Sequence, residues 1–328
     1  MEEKLKVGDM VSFFKLIVCI GEGGFGDVWL VKSSEDDKYY AMKLEPMNSK
    51  RQTLRFEVSL LKKMQNCDKF PRYILDGTDK SYFFLVMELL GPNLWNTSRN
   101  LPSSAFSLQY IPSLALEMIS IIEKFHSYGF IHRDIKPQNF VLRFFGSSPV
   151  CLIDYGISKL YIDSSTGQHI EAREHANAMG SLLYSSPNMH EHMDLSRRDD
   201  LFSLIYSLLD IAGMEIPWRN VSNFQDVGKL KNSNPLSTLC TPFGQPFVEI
   251  ATHIQSLGYA DAPDYGLIKR LLQSAIPNTP VPFEWMIAHP KDPKVKPLKG
   301  SQFDPTGFLL EIAPFWSTVQ KDGDCLLL

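Results

Sequence analysis

Phe130-Ile131-His132-Arg133-Asp134-Ile135-Lys136-Pro137-Gln138-Asn139-Phe140 is the stretch on which the reading of this 328-residue chain turns. It sets a carboxylate, an amine and an amide at short intervals, in Asp134, Lys136 and Asn139. A carboxylate can take a proton from a hydroxyl, an ammonium can steady phosphate oxygens, and an amide oxygen is a hard ligand for magnesium. Together they suit phosphoryl transfer, in which alignment and charge stabilisation supply most of the catalysis. Chance is excluded only if the other parts such chemistry needs occur in order along the chain.

The length allows one large core or two lobes, and 44% hydrophobic with 21% charged residues fits a globular protein. A formal charge of −4 gives no direct nucleic-acid signal. No apolar run reaches membrane-spanning length, and Met-Glu-Glu-Lys does not open a secretory signal. Five widely spaced cysteines without a CxxC pair predict a reduced, intracellular protein, in cytoplasm and/or nucleus. His190 and His192 lack the further ligands a structural metal needs.

Along the chain, Val28–Val31 and Tyr39–Leu44 predict strands joined by a charged turn, and Tyr82–Met87 another. Leu54, Val58, Leu61 and Met64 predict an amphipathic helix over 52–65. The character changes after Gly91-Pro92. Helical spacing occupies 108–127, 199–214 and two stretches within 245–275, and a short strand at 151–155 ends at Asp154. The expectation is an α+β, bilobal chain with a small β-rich N-lobe and a larger, mainly helical C-lobe. Its segments are an extension at 1–9, an N-lobe at 10–89, a hinge and C-lobe at 90–285, and a C-terminal extension at 286–328.

Gly21-Glu22-Gly23-Gly24-Phe25-Gly26-Asp27-Val28 matches G-x-G-x-x-G-x-V, in which Gly21, Gly23 and Gly26 let the backbone approach phosphate oxygens. Alone it also fits a dinucleotide-binding turn, but such a turn should open a helix, whereas strand-like residues and then Lys43 follow here. Lys43 is expected on the α- and β-phosphates of ATP, with Glu57 on the next helix fixing it; the plainer alternative is a solvent-face Glu57. Asp154 of Asp154-Tyr155-Gly156 is the expected Mg2+ ligand, with Asn139 at a second magnesium site. Asp134 is expected to accept the proton of a substrate hydroxyl while Lys136 stabilises the transferring phosphoryl group. The Tyr155 hydroxyl, if buried, needs a hydrogen-bond partner.

In this order the motifs resemble those of eukaryotic protein kinases, and most closely the casein kinase 1 superfamily. The resemblance runs through Val86-Met87-Glu88-Leu89-Leu90-Gly91-Pro92, the loop at 132–140, Gly167-Gln168-His169-Ile170, Ser196-Arg197-Arg198-Asp199-Asp200-Leu201, Glu215-Ile216-Pro217-Trp218 and Ala262-Pro263-Asp264-Tyr265. It covers about residues 10 to 285. It implies the bilobal kinase fold and ATP- and Mg2+-dependent phosphorylation of Ser or Thr in protein substrates. It further implies Met87 as gatekeeper, the backbone of Glu88 and Leu90 on the adenine edge, Val28 and Ala41 over the adenine faces, and Ile153 on the opposite side. Arg198 and Asp200 are expected to support the catalytic-loop backbone.

The chain departs from the family after its activation region, with Gly180-Ser181-Leu182-Leu183-Tyr184 where Gly-Thr-Ala-Arg-Tyr is common. Ser181 keeps a hydroxyl for Asp134 or Lys136, but Leu183 lacks the arginine that would bind an acidic or phosphorylated substrate. Arg173, Lys229 and Lys231 are candidates for a replacement basic patch, or ordinary surface charges. Cys325-Leu326-Leu327-Leu328 reads as a C-a-a-X pattern, so peripheral membrane attachment through a prenylated Cys325 is a further expectation. The competing reading is a catalytically quiet, nucleotide-binding pseudokinase scaffold. A small-molecule kinase suits the substrate-lobe resemblance less well.

Overall fold

The computed structural model describes residues 5–23, 26–101, 103–143, 148–278 and 325–327. They form two compact units, one of residues 5–92 and 141–156, the other of residues 93–140, 157–278 and 325–327. The chain passes between the units after Pro92, Phe140 and Gly156.

In the first unit, six strands form one antiparallel sheet. They are β1 (Met10–Val11), β2 (Phe14–Gly23), β3 (Gly26–Ser33), β4 (Tyr39–Pro46), β5 (Tyr73–Asp79) and β6 (Tyr82–Glu88), in the order β1-β2-β3-β4-β6-β5. Alternation along the strands gives the sheet two faces. Trp29, Val31, Met42, Leu44, Phe84 and Val86 join Val11, Phe14 and Leu16 in one buried core. Cross-strand register puts Val28 beside Lys43, and Ala41 beside both Leu30 and Met87. Val28, Ala41, Lys43 and Met87 therefore share the other face.

The helix expected over 52–65 is α1 (Leu54–Lys63). Its N-cap residue Thr53 makes no side-chain cap, and the orphan amides turn to Glu45 instead. The buried Glu45 carboxylate accepts from Thr53 N at 2.9 Å and from Leu54 N at 3.3 Å. This cap comes from β4, so no local pattern in the helix reveals it. Strand β5 was likewise not expected: Asp76-Gly77 reads as a turn, and the strand is a half-buried sheet edge without clean alternation. Strands Phe140–Leu142 and Val150–Leu152 form a separate two-stranded sheet.

The second unit is mainly helical: α2 (Leu94–Asn100), α3 (Ile111–Ser127), α4 (Pro187–His190), α5 (Arg197–Ile211), α6 (Phe224–Ser233), α7 (Leu236–Leu239), α8 (Gln245–Ser256) and α9 (Tyr265–Ala275). Helices α3, α5, α8 and α9 fall where apolar spacing predicted them. The polar α2 and the short α4 and α7 were not foreseen, nor was α6. Helix α5 is buried on nearly every side, and it carries Asp199, Asp200 and Asp210 into the interior. Buried carboxylates must be compensated, and each is answered by donors from outside the helix.

The backbone of Cys325–Leu327 pairs antiparallel with Met179–Ser181. The Cys325 side chain lies outside the described residues, as do residues 286–324 of the expected C-terminal extension, so its lipidation rests on sequence alone. Among the described residues no helix is long and apolar enough to cross a membrane.

Glu45→Ala removes the cap of α1, and loss of such a cap costs about 1–2 kcal/mol. The urea midpoint should fall with an unchanged denaturant slope; an unaltered midpoint would show that water caps the helix equally well.

Candidate active site

In the first unit, Lys43 is the centre of a buried charge cluster. Its Nζ lies 2.7 Å from Glu57 Oε2 and 2.8 Å from Asp154 Oδ1. Glu57 is buried and does not lie on a solvent face. Burial opposes the Lys43 ammonium, but the Asp154 and Glu57 carboxylates outweigh it and raise its pKa above the ordinary value. Burial also raises the pKa of Glu57, against the pull of Lys43. One ammonium between two carboxylates leaves a surplus negative charge, which an oxygen-seeking divalent cation would relieve. The donor chemistry at Asp154 therefore fits Mg2+.

The backbone at Asp154 is left-handed, with φ of 67°, an uncommon conformation for a non-glycine residue. Tyr155 is buried, and its hydroxyl donates to the Leu152 carbonyl, so the hydroxyl added to this motif has its partner. Gly21 pairs with Val28 and Gly23 with Gly26 in the β2–β3 hairpin, whose tip, Gly24-Phe25, lies outside the described residues. Gly26 has a φ of 112°, and a Cβ there would overlap the Leu44 carbonyl oxygen, so glycine is required. At the end of β6, Glu88 is fixed by Arg72 and Arg143: it accepts from Arg72 N at 2.8 Å and from the Arg143 guanidinium. The Leu90 backbone has no hydrogen bond among the described residues. Ile153 is half-buried beside Asp154.

In the second unit, the loop that carries Asp134 rests on Asp200. Its carboxylate accepts from His132 N at 2.7 Å and Arg133 N at 2.8 Å, and meets His126 Nε2 at 2.8 Å. Burial works against this carboxylate, yet His126 and the amide donors hold its pKa below the usual value. Arg133 is left-handed, with φ of 68°, and its Nε donates to the Ile157 carbonyl at 2.6 Å. Arg198 does not share the supporting role expected of it. Its Nη1 donates to Leu257 O at 2.8 Å, away from the loop, because two residues before Asp200 on α5 it faces a different side of the helix.

Asp134, Lys136 and Asn139 are brought together. Lys136 Nζ lies 2.6 Å from Asp134 Oδ2, and the Asn139 amide nitrogen donates to the Asp134 carbonyl at 2.8 Å. That use of the nitrogen leaves the Asn139 oxygen as the hard donor a magnesium ion takes. Ser181 joins the same group: its hydroxyl donates to Asp134 Oδ1 at 2.7 Å and accepts from Lys136 at 3.2 Å. Gly180, at φ of 99°, makes this approach possible, since a Cβ there would sit 2.5 Å from Arg133 O. Among the described residues there is no cluster of three or more His, Cys, Asp or Glu side chains suited to a metal, so any metal here would draw on amide, phosphate or water oxygens as well.

The three candidates for a replacement basic patch are dispersed. Arg173 is taken up by Asp194, at 2.7 Å, alongside Lys159 at 2.6 Å. Lys229 pairs with Asp226 on the surface. Lys231 is buried, donating at 2.6 Å to the carbonyls of both Leu182 and Ser185 and lying over Tyr206 and Trp218. Burial pushes its pKa down. It is a brace for the segment after Ser181, a role that a count of surface charges could not reveal.

A family model described as "Protein kinase domain" matches residues 14–257. A probable serine/threonine-protein kinase of Dictyostelium discoideum is 34% identical over 277 residues, which is 82% of this chain and 55% of that protein. The chain thus spans about half the length of that relative.

His190 lies 3.2 Å from Lys231, and burial, followed by the Lys231 charge, pulls its pKa from 6.5 to about 4. As pH falls from 6.5 to 4, the unfolded chain takes up a proton that the folded protein refuses, so stability present above pH 6.5 is lost. His190→Gln should flatten the fall in urea midpoint between pH 7 and 5. Identical slopes in the two proteins would remove His190 from that acid sensitivity.

Proposed function

Because this chain belongs to the protein kinase domain family, we propose that it transfers the γ-phosphoryl group of ATP to serine or threonine hydroxyls of protein substrates. The observation that carries the reading is the group formed by Asp134, Lys136, Asn139 and Ser181. Asp134 accepts hydrogen bonds from Ser181 and Asn139, so its carboxylate is oriented and negatively polarised for a substrate hydroxyl. Lys136, already beside it, would steady the oxygens of the moving phosphoryl group.

Lys43 would bind the α- and β-phosphates, with Glu57 holding it in place. The shared sheet face of Val28, Ala41 and Met87 supplies apolar contact for adenine, and the backbone of Glu88 and Leu90 its hydrogen bonds. Ile153 would close the other side. Asp154 would hold Mg2+, which neutralises phosphate charge when bound, and Asn139 would contribute to a second magnesium site. We assign the chain to the casein kinase 1 superfamily on its motifs, with the kinase domain at 10–285 between extensions at 1–9 and 286–328. The half-buried Leu183 in place of the arginine argues against a phosphate-primed substrate at that position.

Asp134→Asn should lower the rate of Mg2+/ATP-dependent peptide phosphorylation by about a hundredfold or more, the usual yield of a positioned general base. The variant should retain ATP binding by fluorescence titration. Equal specific activity in wild type and variant would sink the assignment.

A further inference from the structure

A second charged group adjoins the catalytic segment and takes no part in the chemistry above. At the C-terminal end of α5, the fully buried Asp210 carboxylate accepts from Arg99 Nη2 at 2.6 Å, Arg219 Nη2 at 2.5 Å and the Tyr184 hydroxyl at 2.6 Å. Two guanidinium groups on one carboxylate leave a net positive charge. The arginines are not buried with it: their side chains are 29% and 35% exposed. Arg99 is further held by Ser104 O at 3.1 Å and by the Trp95 ring. Arg219 is different. Only its Nη2 finds an acceptor among the described residues, so most of its five donors are uncommitted.

Position ties this group to the substrate path. Tyr184 follows Ser181, which touches Asp134, by three residues, a reach of at most about 11 Å of extended chain. Trp218, the neighbour of Arg219, donates from Nε1 to Leu183 O at 2.9 Å. Gln138, from the same loop as Asp134, lies beside the Tyr184 hydroxyl, while its own Oε1 is buried without a partner among the described residues. The loop that carries Asp134 and the segment that carries Ser181 thus both lead to Asp210 and its two arginines.

We propose that Arg219, preset by Asp210 and assisted by Arg99, is a specificity-determining residue that binds an acidic side chain, Asp or Glu, within about four residues of the phosphorylated serine or threonine. This rests on the kinase reading above and deepens it. A lone Asp210 would make the place a receptor for basic residues. Its internal neutralisation by two arginines inverts the sign. A guanidinium already fixed by one carboxylate loses little freedom on binding a second, and its planar fork matches carboxylate geometry. The positive charge lost at Leu183 thus reappears on a different element.

The test uses the full chain and a set of serine peptides in an alanine-glycine background, with a single Asp placed in turn at each of four positions on either side of the serine. Wild type should favour one such position over the neutral peptide by about tenfold in kcat/KM, the gain of one charge-assisted contact. Arg219→Ala should bring that ratio close to one, Arg219→Lys should keep part of it, and Arg219→Glu should shift the preference to a Lys-substituted peptide. In parallel, fluorescence anisotropy would measure binding of the same peptides, with alanine in place of the acceptor serine, to Asp134→Asn and to Asp134→Asn/Arg219→Ala. If no peptide is phosphorylated but acidic peptides still bind in an Arg219-dependent way, the kinase reading fails and the subsite stands. Acidic and neutral peptides binding equally, or Arg219→Ala weakening both alike, would overturn the subsite.

Discussion

The carboxylate of Asp200 is the constraint on which the loop that carries Asp134 depends. Two successive backbone amides, those of His132 and Arg133, point at one buried acceptor, and the chain must turn left-handed at Arg133 to achieve this. A residue in that region is held only where its surroundings over-determine it, and here His126 and Asp200 do so from below. Asp134 follows immediately, so its position is inherited from the strained residue before it. Asp199 and Asp210, on the same helix, anchor one further segment, residues 184–188: Ser186 and Asn188 donate to Asp199, and Tyr184 donates to Asp210. Helix α5 therefore works as a buried post from which three carboxylates position the loops of its unit. Its lack of an amphipathic face follows from that role.

The first unit reaches a comparable result by a different route. Lys43 is placed by strand register, on the sheet face opposite the apolar core, and Glu57 by helix α1. That helix starts where it does because Glu45, two residues beyond Lys43 on β4, caps it. One strand thus supplies both the cation and the anchor of the helix that carries its partner. Removing the cation would leave two carboxylates in a poorly solvated place, so the cluster is as much a structural commitment as a binding device.

Much of this was legible in the sequence, and the exceptions have physical causes. Lys43, Glu57, Asp134, Asn139 and Asp154 stand at spacings that the chemistry dictates, so order along the chain was enough to propose them. Strands with clean alternation and helices with an apolar stripe were equally readable. Strand β5 was hidden because Asp76-Gly77 carries a turn signal and a sheet edge needs no alternation. The caps and braces were hidden because they act across long separations. Glu45 serves a helix from another element, and Lys231 serves carbonyls more than forty residues earlier in the chain. Counting Lys231 as a surface charge was reasonable, since an unpaired lysine is seldom buried. Its two carbonyl acceptors and two aromatic faces are visible only once the chain is folded.

Lys231 also explains how the segment after Ser181 can vary in its side chains without losing its shape. The carbonyls of Leu182 and Ser185 are tied to one ammonium, and Trp218 ties the carbonyl of Leu183 between them. All three restraints act on backbone oxygens, which every residue type provides. The side chain at 183 is consequently free of a structural duty, and an arginine there can be exchanged for leucine at little cost to the loop. Asp210 stands in contrast: its partners are side chains, Tyr184, Arg99 and Arg219, so that corner of the unit depends on residue identity. A segment held by its backbone on one side and by specific charges on the other can change what it recognises without changing where it holds Ser181.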